Sequence, residues 1–179
     1  AARADSDDEE DVPMPQSKLA AALRAGAQPS AAFRKRIDQD EQSPLPLEGF
    51  DPVRQTDFSP GTGNALQACA ASIFRVALDA VPNFIAAPGG YEPALASWLQ
   101  ERGRRLHKVQ LVDGELPAGE RTREGQLGVL RGTSPRGEHG HVVVARVRSD
   151  GTLTIEHDPH PDSTGLVSPL VWIAFFPPA

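Results

Sequence analysis

The fold is set by one stretch of the chain, Gly63-Asn64-Ala65-Leu66-Gln67-Ala68-Cys69-Ala70-Ala71-Ser72-Ile73-Phe74. Small and apolar residues continue as far as Ala77, and a helix that is apolar on nearly every side is a buried one. Asn64 is a favourable N-cap residue, and Gln67 stands three positions later, as in a capping box. We therefore predict a buried helix that begins after Asn64 and ends near Ala77.

Beyond this helix, the apolar residues mark first a second helix and then a series of strands. Residues 92–102 are amphipathic, with Leu95, Trp98 and Leu99 on one stripe and Gly103 as the stop. The following segments have the composition and alternation of strands: 107–112, 126–131, 141–148, 152–157 and 170–176. Helices followed by a run of antiparallel strands predict an α+β domain, in which the buried helix packs on an antiparallel sheet.

The 179 residues suffice for one domain with a substantial core. We assign that domain to residues 50–179 and an acidic, proline-rich N-terminal extension to residues 1–49. The extension begins with an acidic run from Asp5 to Asp11, and short helices are predicted at 17–25 and 30–38. Its scattered apolar residues cannot close a core of their own.

Charge and composition exclude several classes of function. A net charge of -6 argues against a nucleic-acid partner, which requires a basic face. No apolar run approaches the roughly 20 residues that span a bilayer. A single cysteine excludes an internal disulfide framework and a multi-cysteine zinc site. No cofactor or metal motif is present, no secretory segment is visible, and we expect a soluble protein of a reducing compartment or a delivered effector.

Asp150-Gly151 separates two predicted strands and is typical of a two-residue hairpin turn. With that turn, Val143 faces Asp158, and His141 faces His160. His141 and Asp158 then lie on one face of the sheet as diagonal neighbours, with Cβ atoms roughly 7–8 Å apart. A carboxylate that holds one imidazole nitrogen is the orienting part of a nucleophilic triad, so this pair is a candidate site.

Three blocks of the sequence together resemble a family of bacterial and phage papain-like proteins. The family signature is Gly-Asn/Asp-Cys-x3-Cys-x-Ala-Ser-Leu-Leu followed by Leu-x-x-Val-Pro-x-Phe, and this chain has Gly63 to Phe74 followed by Leu78-Asp79-Ala80-Val81-Pro82-Asn83-Phe84. Its His and Asp blocks are similar to Ser134-Pro135-Arg136-Gly137, Gly140-His141-Val142-Val143-Val144 and His157-Asp158-Pro159-His160-Pro161. The resemblance covers residues 53 to about 170 and implies a papain-like fold.

The resemblance also implies a Cys-His-Asp mechanism in which the first signature cysteine is the nucleophile, but that position holds Ala65. His141 and Asp158 would be the base and its orienter, and Gln55 is a candidate donor to the oxyanion. Arg136 is a weaker candidate for substrate contact. Cys69 matches the second cysteine of the signature, about 40° round the helix from Ala65 and one turn further in. It is more simply explained as a core residue.

Two interpretations of Ala65 stay open. A cysteine hydrolase, either peptidase or deamidase, has been silenced by an engineered Cys-to-Ala change, and its partner is a protein or peptide substrate. Alternatively, the cysteine was lost naturally, and the chain is a pseudoenzyme that serves as a structural or binding subunit of a larger assembly. In that case the N-terminal extension would lie on a partner subunit.

Overall fold

A computed structural model of the chain describes residues 49–59 and 61–179. The acidic run, the predicted helices at 17–25 and 30–38, and all of the predicted extension except Gly49 lie outside the described residues. The described elements are helices α1 (Ala65–Phe74) and α2 (Tyr91–Gln100) and strands β1 (His107–Gln110), β2 (Leu127–Thr133), β3 (Gly140–Val147), β4 (Leu153–His157) and β5 (Val167–Phe175). Two short 3-10 turns, Leu78–Ala80 and Phe84–Ala86, connect the helices.

The five strands form one antiparallel sheet in the order β1-β5-β2-β3-β4. Helix α1 packs on one face of this sheet, mainly against β3 and β2. The core on that side includes Leu66, Cys69 and Ile73 of the helix with Val142 and Val144 of β3. Each predicted strand overlaps an observed one, and the arrangement is an α-helical layer on an antiparallel sheet. The likeness to papain stays a prediction.

Helix α1 ends earlier than the predicted Ala77. Arg75 adopts a left-handed conformation with φ 56°, and Val76 N–H donates to the Ala71 carbonyl over 3.1 Å. This backward hydrogen bond is the Schellman arrangement that closes helices. Val76 and Ala77 are therefore apolar residues that follow the helix and are not part of it.

The predicted capping box at Asn64 is wrong. The Asn64 Oδ1 accepts hydrogen bonds from the backbone N–H groups of Thr56 and Asp57, over 3.0 and 2.8 Å, instead of capping the helix. The Gln67 Oε1 accepts a hydrogen bond from the Asn64 Nδ2, and the Gln67 Nε2 donates to the carbonyls of Leu78 and Val81. These two side chains thus join the first turn of α1 to the segment before it and to the turn after it.

The predicted two-residue hairpin turn between β3 and β4 is also wrong. The extra turn residue shifts the pairing of the two strands by one position, and a second irregularity further along the strands reverses this shift. Arg148 N–H donates to the Thr152 carbonyl, so that the turn contains three residues, with Gly151 at φ 82°. This is a three-residue hairpin loop that ends in a left-handed glycine. A bulge between Val144 and Ala145 then restores the predicted register, and Val144 pairs with His157.

Candidate active site

A cleft of about 570 Å³ opens between the start of α1, the start of β3 and the segment that precedes α1. Ala65 and His141 both line it, as does Gln55. The remaining described lining residues are Phe58, Ser59, Gly61, Gly63, Leu66, Ile85, Tyr91, Arg131, Arg136, His139, Gly140, Val142, His160 and Trp172. The structure therefore brings to one cleft the residue at the predicted nucleophile position, the predicted base and the candidate oxyanion donor.

His141 and Asp158 form a buried hydrogen bond in the wall of this cleft. The His141 Nε2 lies 2.7 Å from the Asp158 Oδ1, and the two residues are 7% and 5% exposed. Because an ionised carboxylate can only accept, the Nε2 of His141 is the donor. Asp158 lies beyond the end of β4, where the Arg54 guanidinium also binds its backbone carbonyl.

The Asp158 carboxylate is held in its ionised form by several donors. Burial opposes ionisation and would raise its pKa, but the hydrogen bonds from His141 and from the backbone N–H groups of His160 and Gly165 outweigh burial. Together they lower the pKa of Asp158 to about 2. The Arg136 Nη1 lies 3.6 Å from its Oδ2. At neutral pH, Asp158 is therefore a fixed anion that orients the His141 ring.

Since Asp158 takes the Nε2–H, the neutral His141 ring has its lone pair on Nδ1. Within residues 49–59 and 61–179, no hydrogen bond engages this Nδ1. A nitrogen with a free lone pair on a ring fixed by a carboxylate is the arrangement that a general base requires. His141 thus has a ring nitrogen that can accept a proton, and its role as the base of the site stays a prediction.

Ala65 is the first residue of α1 and is half-buried at the cleft. The first N–H groups of a helix have no partner within the helix, and they carry the positive end of its dipole. Both effects would favour a thiolate or an oxyanion at this place. The Ala65 methyl group itself has no atom that can attack a carbonyl.

Cys69 is not placed as a substitute nucleophile. It is fully buried, does not line the cleft, and its Sγ donates to the Val142 carbonyl at 3.7 Å. Burial, followed by the negative charge of Asp158, raises the pKa of the Cys69 thiol well above its ordinary value. A neutral thiol in this environment is a core residue.

Gln55 lies in the cleft wall, and its backbone N–H is fixed by the Pro159 carbonyl at 3.0 Å. Its side-chain Nε2 donates to the Asp57 carbonyl at 3.1 Å, which leaves one of the two amide hydrogens available. Its Oε1 is buried without a hydrogen-bond partner in the described part of the chain. Its role as an oxyanion donor stays a prediction, and the available amide hydrogen is compatible with that role.

Sequence reasoning missed several other residues that line the cleft, among them Arg131, Trp172, Tyr91 and Phe58. Trp172 stacks on Tyr91 with ring centroids 6.2 Å apart, and Phe58 meets the His160 ring edge-on at 5.0 Å. The signal for Arg131 was present in the sequence, since it follows Leu127 and Val129 in the alternation of β2 and so takes an inward-facing position. Its place in a cleft depends on the order of the strands.

His157 and Arg136, which belong to the sequence blocks that resemble the family, have structural partners. The His157 Nε2 donates to the Val53 carbonyl over 2.9 Å, and the ring stacks on Phe50. Arg136, a candidate for substrate contact, binds Asp162 at 2.9 Å and Thr164 at 2.6 Å, although it also lines the cleft. Within the described ranges, no three His, Cys, Asp or Glu side chains converge as a metal site requires.

No family model, curated protein or solved structure matches this chain. In the part of the chain that the structure describes, no single helix has the length and apolar character to cross a membrane. One bent pair, Ala65–Phe74 with Leu78–Ala86, reaches that length and composition only when both pieces are taken together.

Proposed function

We propose that this chain is a papain-like thiol-hydrolase scaffold of the peptidase or deamidase class, inactive as written because Ala65 occupies the nucleophile position. The observation that carries the proposal is the buried hydrogen bond between His141 and Asp158, in the wall of the cleft that Ala65 also lines. His141 combines a ring nitrogen without a hydrogen bond among the described residues with a place in the lining of the cleft, which supports a role as general base. No metal or cofactor is needed for this chemistry.

With a thiol at position 65, the residues present supply each step of amide hydrolysis. The His141 Nδ1 accepts the thiol proton, and the sulfur attacks the carbonyl carbon of the amide. The first N–H groups of α1 and the free amide hydrogen of Gln55 stabilise the oxyanion. His141 then returns the proton to the leaving amine, and water hydrolyses the thioester. Hydrolysis of a backbone amide is the reaction of a peptidase, and hydrolysis of a side-chain amide is the reaction of a deamidase.

The second candidate function is that of a natural pseudoenzyme, and the observation that favours it is Ala65 itself. Without a nucleophile, only the residual rate that binding and oxyanion stabilisation provide is expected. In this case the cleft binds a protein or peptide without cleaving it, and the chain acts as a subunit of an assembly.

Restoring the thiol by Ala65→Cys tests the scaffold. We expect the variant to react with iodoacetamide near neutral pH at least about tenfold faster than an unfolded peptide thiol, because the dipole of α1 and the His141 ring both favour the thiolate. Adding His141→Ala should remove most of this acceleration. Mass spectrometry locates the label and separates it from Cys69.

Thr62→Cys is a matched control, since residue 62 is exposed and is not among the described residues that line the cleft. Its thiol should react at an ordinary rate that does not depend on His141. If the thiol at position 65 reacts no faster than this control, or if its rate is unchanged by His141→Ala, the proposed site is wrong.

A further inference from the structure

Arg131 is an arginine of the cleft wall that has no partner among the residues that the structure describes. Its guanidinium makes no hydrogen bond, ion pair or ring stacking within residues 49–59 and 61–179, and it is half-buried. Arg136, the other arginine of the wall, is by contrast bound to Asp162 and lies near Asp158. A half-buried guanidinium loses part of its hydration, so leaving it unpaired has a cost that a ligand can offset.

The backbone beside Arg131 is shaped to receive this side chain. Arg131 pairs with Val142 of β3 on one side and with Trp172 of β5 on the other. Gly140 makes room for the guanidinium, because a Cβ built on Gly140 would lie 2.5 Å from the Arg131 Nη2 and 2.9 Å from its Cζ. The unpaired charge is therefore packed against the residue that precedes His141.

The charge of the cleft points to an anionic ligand. The chain carries 24 acidic residues against 18 basic ones, yet none of the described lining residues is Asp or Glu. The Asp158 carboxylate lies behind His141 and is already bound by the His141 ring and two backbone N–H groups. A single unpaired guanidinium balances a single negative charge, and its fork of N–H groups matches both oxygens of a carboxylate. A phosphate dianion would require a second free cation, which Arg136 does not provide because it is already paired.

We propose that Arg131 binds a carboxylate of the ligand, beside Trp172 of the neighbouring strand and in the same cleft as Ala65 and His141. The ligand is then a peptide with either a free C-terminal carboxylate or an acidic side chain near the target amide. This inference rests on the proposed function only in placing the ligand in this cleft. It requires binding and no nucleophile, so it is testable on the unaltered chain.

The test is a nuclear magnetic resonance titration of the indole N–H signal of Trp172 with short acetylated peptides. Ac-Ala-Ala-Ala with a free carboxylate is compared with its C-terminal amide, and Ac-Ala-Glu-Ala-amide is compared with Ac-Ala-Gln-Ala-amide. We expect at least one carboxylate peptide to bind about tenfold more tightly than its neutral counterpart. The pair that shows the difference identifies the source of the carboxylate.

Arg131→Gln should abolish the preference for the charged peptide, and Arg131→Lys should reduce it because lysine lacks the fork. Arg121→Gln, the same change at an exposed arginine that is not among the residues lining this cleft, should leave it intact. If the nuclear magnetic resonance spectrum shows that Arg131→Gln does not fold, the preference of Arg131→Lys for the charged peptide tests the inference.

Equal binding of charged and neutral peptides, a preference that survives the Arg131 substitutions, or the absence of any Trp172 response would overturn the inference. Its failure is distinguishable from failure of the proposed function. Rapid, His141-dependent labelling of the Ala65→Cys variant can be observed whether or not a carboxylate is preferred, and the reverse also holds.

Discussion

Replacing Asp158 with asparagine removes the anion that orients His141, and we expect this change to alter both stability and its dependence on pH. The carboxylate accepts from the His141 ring and from the backbone N–H groups of His160 and Gly165, at 2.7 to 2.9 Å. These hydrogen bonds are made to the ionised form. Asparagine has one acceptor oxygen and no charge, and so cannot replace all of them.

The magnitude follows from the pKa of Asp158, which is about 2 in the folded protein and about 3.9 in an unfolded chain. A folded pKa below the unfolded one stabilises the protein above the unfolded pKa, and this contribution is lost as the pH falls through the folded pKa. The two values correspond to about 2.5 kcal/mol of free energy of unfolding at neutral pH. About 2 kcal/mol of this is lost between about pH 5 and about pH 2.

The assay is urea unfolding, followed by circular dichroism, of the unaltered protein and of Asp158→Asn over this pH range. We expect the variant to be less stable by about 2 kcal/mol at neutral pH and the difference to shrink towards about pH 2. Asp79→Asn, at an exposed carboxylate outside the site, is the control and should show little difference at any pH. A difference between the proteins that stays constant from about pH 6 to about pH 2 would refute the reasoning, because it could not arise from ionisation of Asp158.

Two further predictions concern Cys69 and Gln67 of helix α1. Cys69 should react with iodoacetamide at least about tenfold more slowly in the native protein than in urea, because burial keeps its thiol neutral; comparable rates would contradict its assignment to the core. Gln67→Ala should lower the free energy of unfolding by about 1–3 kcal/mol, since the Leu78 and Val81 carbonyls lose the Nε2 donor. Gln100→Ala, an exposed position at the end of α2, should change it little, and equal effects of the two substitutions would show that the Gln67 bridge is unimportant.

The sequence predicts those parts of the fold that depend on the local pattern of apolar and polar residues. The all-round apolar residues of α1 and the alternation in β2 to β5 identify these elements because burial depends on a period of a few residues. Strand β5 begins at Val167, three residues before the predicted Leu170, because the irregular pairing of Gly132 and Thr133 with Leu170 and Val167 extends the ladder. Local apolar patterning does not report such an irregularity.

The errors arise where a side chain binds a distant segment. Asn64 and Gln67 have the spacing of a capping box, but their backbone partners lie seven and eight residues before Asn64 and eleven and fourteen residues after Gln67. The contact between His141 and Asp158 was predicted from the hairpin, although the turn was misjudged. A bulge at Val144 compensated for the extra turn residue. The alternation in β2 gives Arg131 an inward-facing position, but only the order of the strands places it beside Trp172 in a cleft.

The most direct test of the central claim, that position 65 and His141 form a nucleophile site, is the pKa of a thiol placed there. The rate of iodoacetamide alkylation of Ala65→Cys, measured against pH, gives this value. We predict a pKa clearly below the ordinary value of about 8.5, and a return towards that value when His141→Ala is added. An ordinary pKa in both proteins would contradict the claim.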